Sequence, residues 1–268
     1  MLFADRLVVV RGGGDLASGA IAALHGAGFP VVVLELAAPL AVRRTVSFAS
    51  AITEGEATVE GTTARLKHDP EEAWQLAEGG EVAVLVGEQL PPMPRPASVV
   101  VDGRMAKRNI DTSIDQAGLV IGLGPGFAAG VDCDAVIETE RGHRLGRIIR
   151  AGPAAPDTGI PGPLEGATSD RVIRSPADGI VHWSVGIGDQ VEPGASLGAV
   201  SSEPVSTVIG GVVRGLIAPG HVARTGLKIG DIDPRADRTA CFEISDKSRL
   251  VGAGVLQAVL AWLGEQAP

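Results

Sequence analysis

The sequence predicts an α/β chain: a Rossmann-like three-layer domain, a small all-β domain and a C-terminal helix. Three observations carry this. Residues 7–35 run from a β-branched stretch through a glycine turn and a small-residue helix into a second β-branched stretch. Residues 175–230 contain one glycine-rich unit twice at a constant offset. Residues 249–263 carry valines and leucines at helical spacing. The predicted divisions are 1–165, 170–236, and a helical segment 237–268 that packs on one of the domains.

Leu7-Val-Val-Val is short, β-branched and bounded by glycines, which makes it a buried strand. Leu16, Ile21 and Leu24 stand among alanines, and Gly26 and Gly28 close the helix they form. Val31-Val-Val-Leu-Glu35 is the second strand. Gly12-x-Gly14-x-x-Ala17 fits the dinucleotide-binding spacing, after a strand and opening a helix. Gly12 allows a tight turn, Gly14 a close backbone approach to a pyrophosphate, and Ala17 close packing of helix on strand. The helix start adds unpaired N–H donors and a positive dipole end, and Gly13 and Ser18 complete the candidate loop. Glu35 ends the second strand, where an acid can bond a ribose hydroxyl. Asp15 fits less well, because its carboxylate favours the helix dipole but repels a phosphate. The competing reading is a plain turn in which Asp15 caps the helix and nothing binds.

The chain has 268 residues, 45% hydrophobic and 21% charged, as ordinary globular proteins do. Aromatics are 3%, with no Tyr, which argues against stacking on bases. A net charge of -9 argues against a nucleic-acid or anionic-membrane surface. Cys133 and Cys241 lie in no metal-ligand spacing, and the five histidines are scattered, so no structural metal is predicted. With no signal peptide or membrane-length apolar run read in the sequence, the expected location is the cytoplasm.

Beyond Glu35, Arg43 and Arg44 either receive phosphate groups or lie solvated on a loop. Residues 57–61 and 63–66 alternate weakly, like an edge hairpin. Asp69 caps a helix with Pro70 in its first turn, and Trp74 is core. Val82–Val86 and Ser98–Val101 are further buried strands. The second delivers Asp102, Lys107, Arg108 and Asn109 to its C-terminal end, where open α/β sheets collect ligands; the alternative is a charged surface loop. Leu119–Phe127 runs a strand into a second glycine loop, in which Gly124 and Gly126 form a partial anion nest because Pro125 lacks a donor. Residues 135–149 read as two strands joined at Arg141-Gly142, with His143 beside the turn. Residues 151–166, rich in Pro and Gly, read as a linker or long ordered loop.

In the repeat, Gly211, Gly220, Gly226 and Gly230 each lie 32 residues after Gly179, Gly188, Gly194 and Gly198. Apolar partners keep step: Ile180 with Val212, Val181 with Val213, Val185 with Ile217, Leu197 with Ile229. This implies a pseudo-two-fold β sandwich. The Asp178-Gly-Ile-Val and Gly188-Asp-Gln-Val patterns resemble the biotinyl/lipoyl carrier fold, a barrel-sandwich hybrid. The hairpin 201–206, where carriers hold their acceptor lysine, has none, so a swinging-arm role is not expected. A helix from Arg249 to Leu263 follows, with Asp246 and Ser248 as candidate caps. Val251, Val255 and Val259, with Leu256, Leu260 and Leu263, are its expected apolar face.

The motifs together resemble one family. Arg11-Gly-Gly-Gly-Asp15, Ala41-Val-Arg43-Arg44-Thr-Val-Ser-Phe48, Ala106-Lys107-Arg108-Asn109, Ile121-Gly-Leu-Gly-Pro-Gly-Phe127, Ala135-Val-Ile-Glu-Thr139, Arg141-Gly-His143-x-Leu-Gly-Arg147 and Lys228-Ile-Gly-Asp-Ile-Asp-Pro-Arg235 are similar to those of the YqeB-type accessory proteins of the selenium-dependent molybdenum hydroxylase system. The likeness runs from the first strand to the last helix. One departure is Asp157-Thr-Gly where Asn-Thr-Gly is expected. The resemblance implies a role in maturing molybdenum hydroxylases of the xanthine dehydrogenase class, without an established reaction. It implies that Asp15 serves a ligand other than an ordinary pyrophosphate, or holds a metal or hydroxyl. It also strengthens Arg43, Arg44, Lys107, Arg108 and His143 as site residues.

The leading expectation is an accessory protein that binds a nucleotide-bearing cofactor, with molybdopterin dinucleotide suiting both the loop and the basic side chains. Expected partners are hydroxylase subunits or other maturation proteins, and a homo-oligomer is left open. The alternatives are an NAD(P)-dependent oxidoreductase and a ligand-free scaffold that docks a hydroxylase subunit.

Overall fold

The computed structural model describes residues 1–157 and 169–266. The chain is mixed α/β, with a large mixed sheet, smaller antiparallel sheets and a C-terminal helix. It divides into two compact units. Among the described residues the first holds 1–39, 47–157 and 244–266, and the second holds 40–46 and 169–243. The C-terminal helix therefore belongs to the first unit. Most of the 151–166 linker expectation lies outside the described residues.

The first unit opens with β1 (Val8–Arg11), α1 (Asp15–Gly26) and β2 (Val31–Glu35). Then come a short α2 (Ala51–Glu54), the hairpin β3 (Glu56–Val59) and β4 (Thr62–Lys67), α3 (Pro70–Glu78), β5 (Val82–Val86), β6 (Val99–Asp102) and β7 (Leu119–Leu123). Short strands follow: β8 (Ala128–Ala129), β9 (Ala135–Ile137), β10 (Ile148–Ile149) and β11 (Gly152–Pro153). The nine-stranded sheet has the order β10-β9-β7-β6-β1-β2-β5-β4-β3. Its middle seven strands are parallel, and the edges β3 and β10 are antiparallel.

Continuous valine runs suit these strands because a parallel sheet is buried on both faces. Val8–Val10, Val31–Val33 and Val99–Val101 are all fully buried. Val9, Val32, Leu34, Val100 and Val120 share one core cluster with Ala73 and Trp74 of α3. Asp69 caps α3 by accepting from the Glu72 N–H at 3.2 Å, and Pro70 occupies its first turn.

The second unit holds β12 (Val172–Arg174), β13 (Gly179–Trp183), β14 (Gln190–Val191), β15 (Ser196–Val200), β16 (Glu203–Ser206), β17 (Gly211–Leu216), β18 (Val222–Ala223) and β19 (Lys228–Asp233). They form two four-stranded sheets, β12-β19-β17-β14 and β16-β15-β13-β18. The repeat is visible in the pairing itself. Gly179 pairs Ala223 and Ile180 pairs Val222, while Gly211 pairs Val191 and Val212 pairs Gln190. Each copy thus lends a strand to the other. Three of the four glycine pairs share a positive φ: Gly179 at 151° with Gly211 at 147°, Gly188 at 98° with Gly220 at 82°, and Gly194 at 82° with Gly226 at 84°. Leu197, Val213, Ile217 and Ile229 fill a common core.

The last helix, α4 (Asp246–Glu265), returns to the first unit and packs along α1. It starts three residues before the expected Arg249. Its cap is Ser245, whose side chain accepts from the Ser248 N–H, rather than Asp246 or Ser248. Only half of the expected apolar face is buried. Val251, Val255 and Val259 are buried, whereas Leu260 is 45% exposed. The reason is the seam with α1, which is built from small residues. A Cβ on Gly19 would stand 2.0 Å from the Ser248 carbonyl oxygen, and one on Gly252 would stand 2.2 Å from that of Gly19. The backbones approach through glycines, so the leucine side is not needed for contact.

Candidate functional site

In the large sheet the connections leave β1 in opposite senses: β2 lies on one side and β6 on the other. Ligands of open α/β sheets bind at such a reversal, outside the C-terminal strand ends. Four loops of the first unit meet there: residues 12–14 after β1, 103–112 after β6, 124–127 after β7, and Glu138-Thr139 after β9.

The first loop is held by its own backbone. Gly12 (φ 91°) donates to the Leu34 carbonyl at 2.7 Å, and a Cβ there would press on the Arg104 backbone at 3.1 Å. The Gly13 carbonyl accepts from the Ala49 N–H at 2.9 Å and the Ser18 hydroxyl at 3.1 Å. Ser18 in turn accepts from the Phe48 N–H at 3.1 Å, so it braces the loop. Gly14 is different: nothing lies within 4 Å of where its Cβ would be. It is the N-cap of α1, with no side-chain cap, so the Asp15 cap reading is corrected. Asp15 lies inside the first turn and accepts from the Ser248 hydroxyl at 2.9 Å. Ala17 is fully buried, and a Cβ on Gly103 would stand only 2.8 Å from its Cβ.

Glu35 turns back onto the loop. One carboxylate oxygen accepts from the Gly13 N–H at 2.7 Å, the other from the Leu36 N–H at 2.8 Å. Two loop donors, the Gly12 and Gly13 N–H groups, are therefore already taken. Each carboxylate oxygen has a second lone pair left for a hydroxyl.

The 103–112 loop hangs on an ionic network absent from the sequence expectations. Arg11 and Asp102, paired across β1 and β6, are both 1% exposed. Arg11 reaches Asp111 at 2.8 Å, the Thr112 hydroxyl at 3.0 Å and the Glu88 carbonyl at 2.7 Å. Arg104 forks onto Asp102, with its shortest bond 2.6 Å, and reaches Asp111 at 2.7 Å. Thr112 donates to Asp102 at 2.5 Å. Asn109 completes the loop, donating to the Thr112 carbonyl at 2.7 Å and to Asp132 at 2.9 Å. Between these anchors Met105 (φ 56°) and Lys107 (φ 63°) take left-handed backbone, which costs a non-glycine residue energy and recurs at ligand clamps.

Lys107 and Arg108 lie exposed on this span, with the Lys107 ammonium 2.7 Å from Asp157. Gly126 interlocks with them. Its φ is 106°, its carbonyl accepts from the Asn109 N–H at 2.9 Å, and a Cβ would collide with the Arg108 N at 2.5 Å. Gly124 gives its N–H to the Ile137 carbonyl at 2.9 Å and has no room for a Cβ beside Thr139. The 124–127 loop thus supports its neighbour more than it presents amides.

The remaining expected residues lie apart from these loops in sequence and role. His143 is exposed on the 141–147 turn. Arg43 and Arg44 belong to the second unit. There Arg43 donates to the Ala240 and Glu243 carbonyls at 2.9 and 3.1 Å, and Arg44 to Leu216 at 2.8 Å. Both cysteines are buried. Burial pushes the Cys133 thiol up to about 11, which leaves it protonated and unreactive at neutral pH. Among the described residues no three His, Cys, Asp or Glu side chains converge as a metal site needs, and no helix is long and apolar enough to cross a membrane.

No family model matches the chain. "Uncharacterized protein YqeB" of Escherichia coli (strain K12) is 45% identical over 261 residues, which is 95% of this chain and 47% of that protein. This chain is YqeB-type. It spans about half the length of the curated relative it matches. Similarity to solved structures is slight. A succinylglutamatedesuccinylase/aspartoacylase from Rhodobacter sphaeroides matches over 32% of this YqeB-type chain and 29% of its own, at TM-score 0.22 and 19% identity. The product-bound ectoine utilization protein EutE (DoeB) from Ruegeria pomeroyi matches over 84% and 57%, at TM-score 0.23 and 12% identity. TM-scores this low carry no argument about fold or function.

Of the residues that matter at the strand ends, Arg11, Arg104, Asp111 and Thr112 were missed by the sequence reading. The available signal was a charge closing an otherwise apolar strand, at Arg11 and again at Asp102.

Proposed function

We propose that this YqeB-type chain binds a nucleotide-bearing anion at the β1–α1 loop and takes part in maturing selenium-dependent molybdenum hydroxylases. The observation that carries the binding is Gly14. It opens a twelve-residue helix without a side-chain cap, faces open space, and lies at the reversal of strand order. A helix start in that state offers N–H donors and a positive dipole end to phosphate.

We read the first unit as Rossmann-like. Taking β5, β2, β1, β6, β7 and β9 in spatial order gives the sequence 3-2-1-4-5-6 of dinucleotide-binding sheets. The second unit we read as biotinyl/lipoyl-like, supported by the reciprocal pairing of its two copies. In this reading Gly12, Gly14 and Ala17 shape the phosphate cradle, Glu35 takes a ribose hydroxyl, and Lys107 and Arg108 neutralise charge. A molybdopterin dinucleotide fits that chemistry. The maturation role rests on the motif resemblance. Its test is Gly14→Val in cells that carry a client hydroxylase. Cofactor occupancy of the client should fall, and unchanged occupancy would remove the loop from the function.

The second reading is an NAD-dependent oxidoreductase, favoured by Glu35 at the end of β2. Titration with NADH and NADPH separates the two, because absence of binding by either eliminates it.

A further inference from the structure

Arginine recurs at positions 141, 144, 147 and 150, every third residue of one short segment, in a chain whose net charge is -9. The outer two are engaged with α4. Arg141 forks onto Asp246, the first residue of that helix, at 2.7 and 2.9 Å. Arg150 lies 3.9 Å from Glu265, its last residue. The inner two are not engaged. Arg144 and Arg147 are exposed, and neither guanidinium has a hydrogen bond, ion pair or ring contact among the described residues. Of the other described arginines in the first unit only Arg108 is in that state; Arg6, Arg11, Arg65, Arg95, Arg104 and Arg249 all have partners.

The segment that carries Arg144 and Arg147 is held by its backbone. The Gly146 N–H donates to the Glu138 carbonyl at 2.9 Å, the Glu138 N–H to the Arg147 carbonyl at 2.9 Å, and the Arg147 N–H to the Arg144 carbonyl at 2.9 Å. A Cβ on Gly254 would stand 2.2 Å from the Gly146 carbonyl oxygen, so α4 passes at backbone distance. Two cations are thus presented on a fixed turn, and Glu140 is the one acid from 140 to 150.

We infer that Arg144 and Arg147 form a docking surface for an acidic segment of a partner protein. Charge complementarity carries this, and it does not depend on the glycine loop binding an anion. A guanidinium matches a carboxylate through two parallel N–H bonds, and arginine is enriched in protein interfaces. Cations already mounted on a rigid turn lose less freedom on binding. A net charge of -9 and 3% aromatics disfavour nucleic acid and anionic membrane as the polyanion. A protein segment needs only a few carboxylates within reach of the turn. Arg147 and Arg150 also flank the edge strand β10, where charge discourages strand addition. Such a guard works with charge of either sign, whereas docking an acidic segment requires cations.

The test is fluorescence anisotropy of a labelled oligoglutamate peptide titrated with the whole chain at low ionic strength. The native protein is compared with Arg144→Glu, with the double variant Arg144→Glu/Arg147→Glu, and with Arg224→Glu, an exposed position of the second unit. The double variant should weaken binding tenfold or more with an unchanged urea midpoint. Arg144→Glu should weaken it severalfold, and Arg224→Glu, with the same net charge, should change it little. Equal weakening by those two single variants would reduce the effect to net charge and overturn the surface. Equal binding by native and doubly substituted chains, or no binding by the native chain, would overturn it as well. Tighter binding of an oligothymidylate of equal charge would overturn the choice of a protein partner. A second measurement needs no variant: the peptide should slow phenylglyoxal modification of Arg144 and Arg147, followed by peptide mass spectrometry. Unchanged rates at saturating peptide contradict the contact.

Discussion

The Ser248 hydroxyl donates to the Asp15 carboxylate at 2.9 Å, joining residues 233 positions apart in the chain. This contact fastens the first turn of the last helix to the first turn of the first helix, beside the glycine loop. It depends on the seam of small residues below it, and that seam gives the first prediction. Alanine in place of a helical glycine ordinarily gains about 1 kcal/mol. At Gly252 the added methyl meets the Gly19 carbonyl oxygen at 2.2 Å, so the clash wins. Gly252→Ala should destabilise the chain by about 1–3 kcal/mol, the usual cost of overpacking. Gly264→Ala, with nothing within 4 Å, should be neutral or slightly stabilising. Urea unfolding of the two variants checks the pair.

The ionic network after β6 gives the second. Asp102 is 1% exposed, and Arg104 forks onto it. Removing one member of a buried pair leaves a charge without its partner, at a cost of about 3–5 kcal/mol. Arg104→Met should lose roughly that much. Protease cleavage within 103–112 should increase in parallel.

Acid sensitivity follows from the same network. The Arg11 guanidinium bonded to Asp111 holds that carboxyl below the usual carboxylate range; burial opposes this, and Arg104 adds to the lowering. Burial alone would raise Asp233, but Arg235 and Arg214 outweigh it and leave it lowered. A carboxyl lowered in the folded state contributes its full stability above the unfolded value of about 3.9. That contribution disappears as pH falls through the folded value. Urea midpoints should hold from neutral pH to about pH 5 and decline below it. Asp111→Asn should make the acid decline shallower.

Glu35 sets the charge of the loop. Its carboxylate accepts from the Gly13 and Leu36 N–H groups. Glu35→Gln keeps an acceptor for one of these bonds and removes a negative charge beside the cradle. Pyrophosphate should bind this variant more tightly than the native chain, while a ligand held through its ribose should bind less tightly. Titration with pyrophosphate and with an adenine dinucleotide reads the two effects separately.

Much of the frame was legible in the residues. The Val8–Arg11, Asp15–Gly26 and Val31–Glu35 succession follows from β-branched runs punctuated by glycine. The 32-residue offset foretold a shared backbone conformation for three of its four glycine pairs, because a positive φ excludes most other residues; Gly198 has a positive φ and Gly230 does not. The site was less legible for a physical reason. Arg11 meets Thr112 across 101 residues because β1 and β6 become neighbours only once the sheet forms. Local periodicity does not encode that adjacency. The buried side of α4 was misjudged in the same way: valines and leucines look alike as apolar residues, and only the glycine seam decides which face approaches α1.

The proposed binding rests on the amides that open α1, which would hold a negatively charged ligand. The most direct measurement is the backbone amide spectrum of isotope-labelled chain during titration with pyrophosphate. Saturable shifts centred on Gly14, Asp15 and Leu16, shared by Lys107 and Arg108, are predicted. Saturable shifts elsewhere with these amides unmoved, or no saturable shift at millimolar pyrophosphate, would contradict the claim.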